Sequence, residues 1–173
     1  SDIRYQAAER TAHAALTESA ARFRSLFDHM VEGAALHKMV RDGFGRGINY
    51  RVVEVNDAYL EMFGRSRAEV AGRLATEIAG GEGPPHLAEY DGVAATRKPL
   101  RFATHHEATD RDLEISVAPW GDDGFATIVT DVTARKRAER QLQESEQRFR
   151  GTLDHMMEGC QLIGTDWRYL YVN

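Results

Sequence analysis

The sequence predicts an α+β domain: a five-stranded antiparallel sheet with short helices on one face, flanked by N- and C-terminal amphipathic linker helices. Three observations carry this prediction. Strand-like stretches fall into two groups, a pair before a run of short glycine-punctuated helical pieces and a trio after it. Turns rich in glycine and aspartate join the strands within each group. Charged segments of helical period lie on either side of the whole.

Each element follows in order. Residues 3–30 are rich in alanine and charge, and Leu16, Ala20, Phe23 and Phe27 fall at helical spacing, which predicts a leading amphipathic helix. AALHKMV (34–40) reads as a strand, RDGFGRGIN (41–49) as a glycine-rich turn, and YRVVEVN (50–56) as the hairpin partner. DAYLEMFG, RSRAEVAG and RLATEIAGG are short helical pieces closed by Gly64, Gly72 and Gly80. PPHLAEYDGVAATRKP (84–99) is a longer helix entered through prolines and left at Lys98 and Pro99. LRFATHHEA, RDLEISVAPW and GFATIVTDV are strands joined by the turns TDR and GDDG. A second linker helix runs from Asp131 to about Met157, with Asp131 placed to cap its first turn and Ala138, Leu142, Ser145 and Phe149 forming an apolar seam.

The chain nearly repeats itself. RFRGTLDHMMEG (148–159) matches RFRSLFDHMVEG (22–33) at eight of twelve positions, and RYLYVN (168–173) matches RVVEVN (51–56). A period this long excludes solenoid units and fits a tandem of whole domains. The expected division is a linker helix at 1–30, a domain at 31–131, a coiled-coil-like linker helix at 132–157, and the truncated start of a second domain at 158–173. Both helices end in Asp-His-Met-x-Glu-Gly, with Gly33 and Gly159 expected to supply the break. Positions 53 and 55 are Val and Val in one copy and Leu and Val in the other, whereas 52 and 54 drift from Val and Glu to Tyr and Tyr; this predicts that Val53 and Val55 face the core.

Composition narrows the function. The 42% hydrophobic and 28% charged residues are those of a soluble globular protein, and no apolar run approaches the roughly 20 residues of a membrane span, so no membrane contact is expected in this stretch. No signal peptide opens the chain, and a cytoplasmic, reducing setting is expected, with a membrane anchor elsewhere in a parent protein left open. A net charge of −5 with scattered basic residues argues against nucleic acid. The single cysteine, Cys160, excludes an internal disulfide and a cysteine-based zinc site. No catalytic carboxylate pair or Ser-His-Asp set stands out, and GFGRG (43–47) joins two strands instead of opening a helix, so it is a turn and not a phosphate cradle. His105 and His106, adjacent on a strand, point to opposite faces and make no metal pair. No catalysis is expected within these residues.

Two segments carry a family resemblance. VNDAYLEMFGRSRAEVAG matches the pattern N-x-A-hydrophobic-x-x-hydrophobic-hydrophobic-G followed by E-hydrophobic-hydrophobic-G, through Asn56, Ala58, Phe63, Gly64, Glu69, Val70 and Gly72. IVTDVTARKRAE resembles the ending D-[IV]-T-E-R-K-x-A-E, with Ala134 in place of the glutamate. Residues 31–137 thus resemble a PAS (Per-Arnt-Sim) sensory domain, and the resemblance restarts near residue 148.

The resemblance implies a signal-input module of a bacterial sensor histidine kinase or a diguanylate cyclase/phosphodiesterase. Such a module works as a homodimer through its linker helices, with the seam here at Ala138, Leu142 and Phe149, and its effector domain lies elsewhere in the same chain. It implies that the Asp131–Thr133 junction carries the signal, helix capping being the plainer role. It implies a small-ligand pocket between helices and sheet lined by Val53, Val55, Tyr59, Phe63, Leu74, Ile78, Leu87, Tyr90, Phe102, Ile115, Val117 and Val129. The alternative is a filled core in a ligand-free structural dimerisation module. Members that bond flavin covalently use a mid-domain cysteine, and residues 1–159 contain none, so that adduct is excluded. Members that bind haem carry an axial histidine on the fourth helix, where His86 stands, and His106 could approach the other side; the arginine of oxygen-sensing members has no counterpart.

Overall fold

A computed structural model describes residues 2–155, 159 and 161–172 of the chain. The order is α1 (Asp2–Asp28), β1 (Gly33–Arg41), β2 (Gly47–Val55), α2 (Asp57–Phe63), α3 (Arg67–Val70), α4 (Ala75–Ile78), α5 (Leu87–Thr96), β3 (Leu100–His106), a 3₁₀ turn (Glu107–Thr109), β4 (Arg111–Trp120), β5 (Gly124–Asp131), α6 (Thr133–Asp154), β6 (Gln161–Ile163) and β7 (Tyr169–Val172). Two compact units divide between Asp131 and Val132.

In the first unit the strands pair antiparallel in the order β2-β1-β5-β4-β3. One face buries Met39, Tyr50, Leu113, Ile115, Val117, Phe125 and Val129 beneath Tyr90, Val93 and Ala94 of α5. The other face carries Ala34, Leu36 and Ala126, which Phe27 at the end of α1 covers. Phe27 is thereby the buried member of the predicted α1 seam, while Leu16 and Phe23 are exposed. The hairpin between β1 and β2 closes on Asp42, whose carboxylate accepts Phe44 N and Arg46 N, both at 2.9 Å. These bonds, the Arg46 amide first, hold its carboxyl below the usual range.

The short helices start on side chains that satisfy their first amides. Asn56 Oδ1 accepts Tyr59 N at 2.9 Å to open α2, and Gly64 closes it in the left-handed region at φ 61°. Glu69 and Glu77 each reach back to the residue before their helix, accepting Ser66 N and Leu74 N at 2.8 Å. Residues 72–74 cover the free edge of β2: Val52 N donates to Arg73 O at 2.9 Å and Gly72 N to Val52 O at 2.7 Å.

Three expectations need correction. Val53 does not face the core. Leu36 pairs with Glu54 and His37 with Val52, which leaves Val53 as the extra residue of a β-bulge. Tyr50, Val52 and Val55 point inward, and Val53 is 41% exposed. Gly33 does not break α1 but begins β1, where a Cβ would come within 3.1 Å of Tyr59 Cα, so it serves the close approach of α2. The helix instead ends on His29, whose Nδ1 donates to Ser25 O at 2.7 Å, and His155 does the same to Gly151 O at 2.7 Å after α6. Finally, Asp131 is the last residue of β5, and the N-cap position of α6 falls one residue later, on Val132.

In the second unit, β6 and β7 form an antiparallel hairpin. Gln161 pairs with Val172, Leu162 with Tyr171 and Ile163 with Tyr169, the same register and the same bulge as Ala35–Val55, Leu36–Glu54 and His37–Val52. The repeated sequence therefore builds a repeated local structure. Met157, Glu158, Cys160 and Asn173, which the sequence reading drew on, lie outside the described residues. Among the described residues, no helix is long and apolar enough to cross a membrane.

Candidate functional site

The site grows from the alternation of β1. Ala35, His37 and Met39 share the inward face of the strand, which places an imidazole among apolar neighbours. His37 is 3% exposed. Its Nε2 lies 2.9 Å from Thr127 Oγ1 on β5. Its ring stacks on Phe125 at 4.6 Å with an interplanar angle of 12°. Tyr90 from α5 stacks on Phe125 in turn, at 4.6 Å and 24°, and Tyr50 from β2 meets His37, Tyr90 and Phe125 edge-on at 5.3–5.4 Å. Burial without a compensating charge holds the imidazole pKa down to about 3, so it is neutral at physiological pH. The same desolvation pushes the Tyr50 and Tyr90 hydroxyls up.

An ionic clamp fixes α5 over this cluster. Arg41 at the end of β1 grips Asp123 with Nε and Nη2, at 2.8 and 2.7 Å, and gives Nη1 to Asp91 of α5 at 2.7 Å. Its pKa is raised, above all by the bonds to Asp123. Gly47 leaves room for the clamp, because a Cβ there would meet Met39 Cε at 2.6 Å and Asp91 Cγ at 2.7 Å.

Most of the expected pocket residues converge. Tyr90, Ile115, Val117 and Val129 are buried in one cluster with Tyr59, Phe63, Leu87 and Phe102 packed against it, and Val55 anchors an adjoining cluster flanked by Tyr59 and Ile78. Burial raises the Tyr59 hydroxyl to about 12. Two residues lie apart. Val53 is on the outer side of its bulge, and Leu74 bridges to Arg51 along the β2 edge. The sequence reading missed His37, Tyr50, Phe125 and Thr127. The i, i+2, i+4 series Ala35, His37, Met39 was the available signal.

His86 precedes α5 in the left-handed region at φ 53°, with its ring 4.9 Å from Phe102 and 5.9 Å from Tyr90. Desolvation lowers its pKa. The interior it adjoins is filled by Tyr90, Phe125 and Tyr50, so these residues do not fit a haem. His106 packs edge-on to Phe63 at 5.1 Å, and its Nδ1 lies 2.8 Å from Thr109 Oγ1, which occupies it locally. His105 turns the other way, toward Asp110 and Asp112 at 3.6 and 3.5 Å.

At the exit of the domain, Asp131 pairs across the sheet with Leu113, and its Oδ2 lies 3.4 Å from Arg111 Nη1. Thr133 is the first residue of α6. Of the expected seam on α6, Leu142 and Phe149 are exposed, at 63% and 57%.

The profile of the PAS fold family matches residues 46–137, over half of the chain, and the chain belongs to that family. No curated protein matches it. Among solved structures, the PAS domain of BvgS from Bordetella pertussis is 26% identical, covering 79% of this chain and 98% of its own, with a TM-score of 0.45. A domain of the sensory box sensor histidine kinase/response regulator from Geobacter sulfurreducens is 21% identical over 67% of this chain and 96% of its own, at 0.46. A domain of an HTR-like protein from Haloarcula marismortui is 14% identical over 60% of this chain and all of its own, at 0.46.

Proposed function

We propose that this chain is the signal-input module of a multidomain bacterial signalling protein, a sensor histidine kinase or a diguanylate cyclase/phosphodiesterase, working in the cytoplasm as a homodimer. The output enzyme lies elsewhere in the parent chain, and these residues contribute no catalysis. The observation that carries this reading is continuity: β5 ends at Asp131 and α6 starts at Thr133, with a single residue between sensor sheet and a helix of 22 residues. A shift in the sheet passes to that helix without a loop to absorb it. A small ligand, a redox change or a partner acting on the domain supplies the shift by favouring one of two arrangements.

The dimer is held by the Ala138, Leu142 and Phe149 seam, whose two large members are exposed in the single chain. The hairpin β6–β7, with the register of β1–β2, is the start of a second PAS domain. The test is Leu142→Asp. In sedimentation the mutant is expected to shift from dimer to monomer, and in the full-length protein its output loses dependence on stimulus. Equal dimer content in wild type and mutant removes the dimeric mechanism.

A second reading has one specific observation behind it. Stacked His37, Phe125 and Tyr90 occupy the space between α5 and the sheet, as a ligand-free structural dimerisation module requires. Native mass spectrometry that finds a small molecule bound to the purified protein removes this second reading, since the structural module carries none.

A further inference from the structure

Among the described residues, the one fully buried side-chain nitrogen or oxygen without a hydrogen-bond partner is His37 Nδ1. A phenylalanine would stack on Phe125 equally well and would strand the Thr127 hydroxyl in place of Nδ1, so pairing is no more complete with the imidazole and packing alone does not call for one here. The second hairpin of this chain makes the same point, because the register position of His37 is held there by Ile163. The surroundings define what can meet that nitrogen. Tyr50, Tyr90 and Phe125 present flat rings, Met39 lies in the same cluster, and the nearby charges of Arg41, Asp91 and Asp123 are engaged with one another. Nothing in this environment compensates a charged ligand.

Thr127 makes His37 adaptable. Its hydroxyl can donate to Nε2 or accept from it, so Nδ1 can be donor or acceptor to suit what arrives. The wall that can give way is the Tyr90 ring, since the Arg41–Asp91 pair holds α5 itself. Tyr90 stands on a helix of ten residues bounded at both ends by non-glycine residues held in the left-handed region, His86 at φ 53° and Arg97 at φ 61°. Lifting Tyr90 frees the volume of one ring beside His37.

We propose that His37, backed by Thr127 and walled by Tyr50 and Phe125, is the recognition site for a small, uncharged, single-ring aromatic molecule bearing a hydroxyl, which enters by displacing Tyr90 and bonds to His37 Nδ1. This inference rests on the sensory reading above and names the class of its stimulus. Phenol is the probe and toluene its isosteric control, since toluene has the ring without the hydrogen bond.

The experiment follows the imidazole nitrogens of the 173-residue chain by long-range proton–nitrogen correlation during titration. Phenol is expected to shift the His37 Nδ1 resonance saturably, and toluene to bind about tenfold more weakly without that shift. His37→Phe is expected to abolish the preference for phenol. No saturable binding, a nitrogen left unmoved by bound phenol, or a His37→Phe protein that still prefers phenol would each overturn the proposal. Should His37→Phe fail to fold, the wild-type nitrogen shift decides the matter alone. Phenol that binds here without altering the output of the full-length protein leaves the site standing and removes the sensory reading instead.

Discussion

Asn56 joins three parts of the domain through one side chain. Its Oδ1 accepts Ala34 N at 2.8 Å and Tyr59 N at 2.9 Å, and its Nδ2 donates to Phe27 O and Glu32 O, both at 3.0 Å. The capping of α2 was legible from a short polar residue between strand and helix. The reach to Phe27 and Glu32 was not, because the groups it meets there are backbone carbonyls that leave no mark in the sequence. Asn56→Asp keeps the acceptor and replaces the donor with an oxygen facing two carbonyls. It should cost about 2–5 kcal/mol in urea unfolding, and acid should partly relieve the loss as the new carboxyl protonates. An equal stability of mutant and wild type would show that the two bonds donated by Nδ2 are not made. His37 gives a second residue-scale test. Its folded pKa of about 3 lies below the ordinary 6.5, so its burial favours folding fully above pH 6.5 and progressively less as pH falls toward 3. Between pH 7 and 4.5 the wild type should lose about 2–3 kcal/mol more than His37→Phe. The facing titratable groups, Tyr50 and Tyr90, stay neutral throughout this range. Parallel stability curves for the two proteins would contradict the burial of a neutral imidazole.

At the scale of elements, the strands, the short helices and both linker helices were readable because each repeats a simple period between glycine and proline stops. The bulge in β2 was not. RVVEV contains no glycine or proline to mark it, and period-two reasoning fails by one residue at Val53. Comparing the two copies could not repair the error, since Ile163–Tyr169 carries the same bulge and both copies deviate together. The correction has a measurable consequence. Val52→Thr places a hydroxyl in the core and should cost about 1–3 kcal/mol, whereas Val53→Thr on the exposed side should change stability by less than about 0.5 kcal/mol. Reversed magnitudes in chemical denaturation would restore the original facing. The exit of the domain illustrates a related limit. Asp131 has the residue type of a helix cap, but strand pairing with Leu113 extends β5 through it and puts the N-cap position of α6 at Val132.

At the scale of the molecule, the family was legible because its marks are local: Asn56 through Gly72 at the first helices, and Asp131 through the start of α6. The interior was not. Aromatic residues from β2, β5 and α5 meet around His37 only after the sheet has formed, and their positions in the chain do not predict one another. The central claim is that a change in this sheet reaches an effector through the Asp131–Thr133 junction. The most direct measurement is stimulus-dependent output of the full-length protein bearing Asp131→Ala, with Thr133→Val beside it. Loss of the part-exposed Arg111–Asp131 pair costs about 1 kcal/mol or less, so the fold should persist in Asp131→Ala. The account predicts that Asp131→Ala makes output independent of stimulus and that Thr133→Val weakens the dependence. Normal regulation in both mutants would contradict it and place the coupling on another surface.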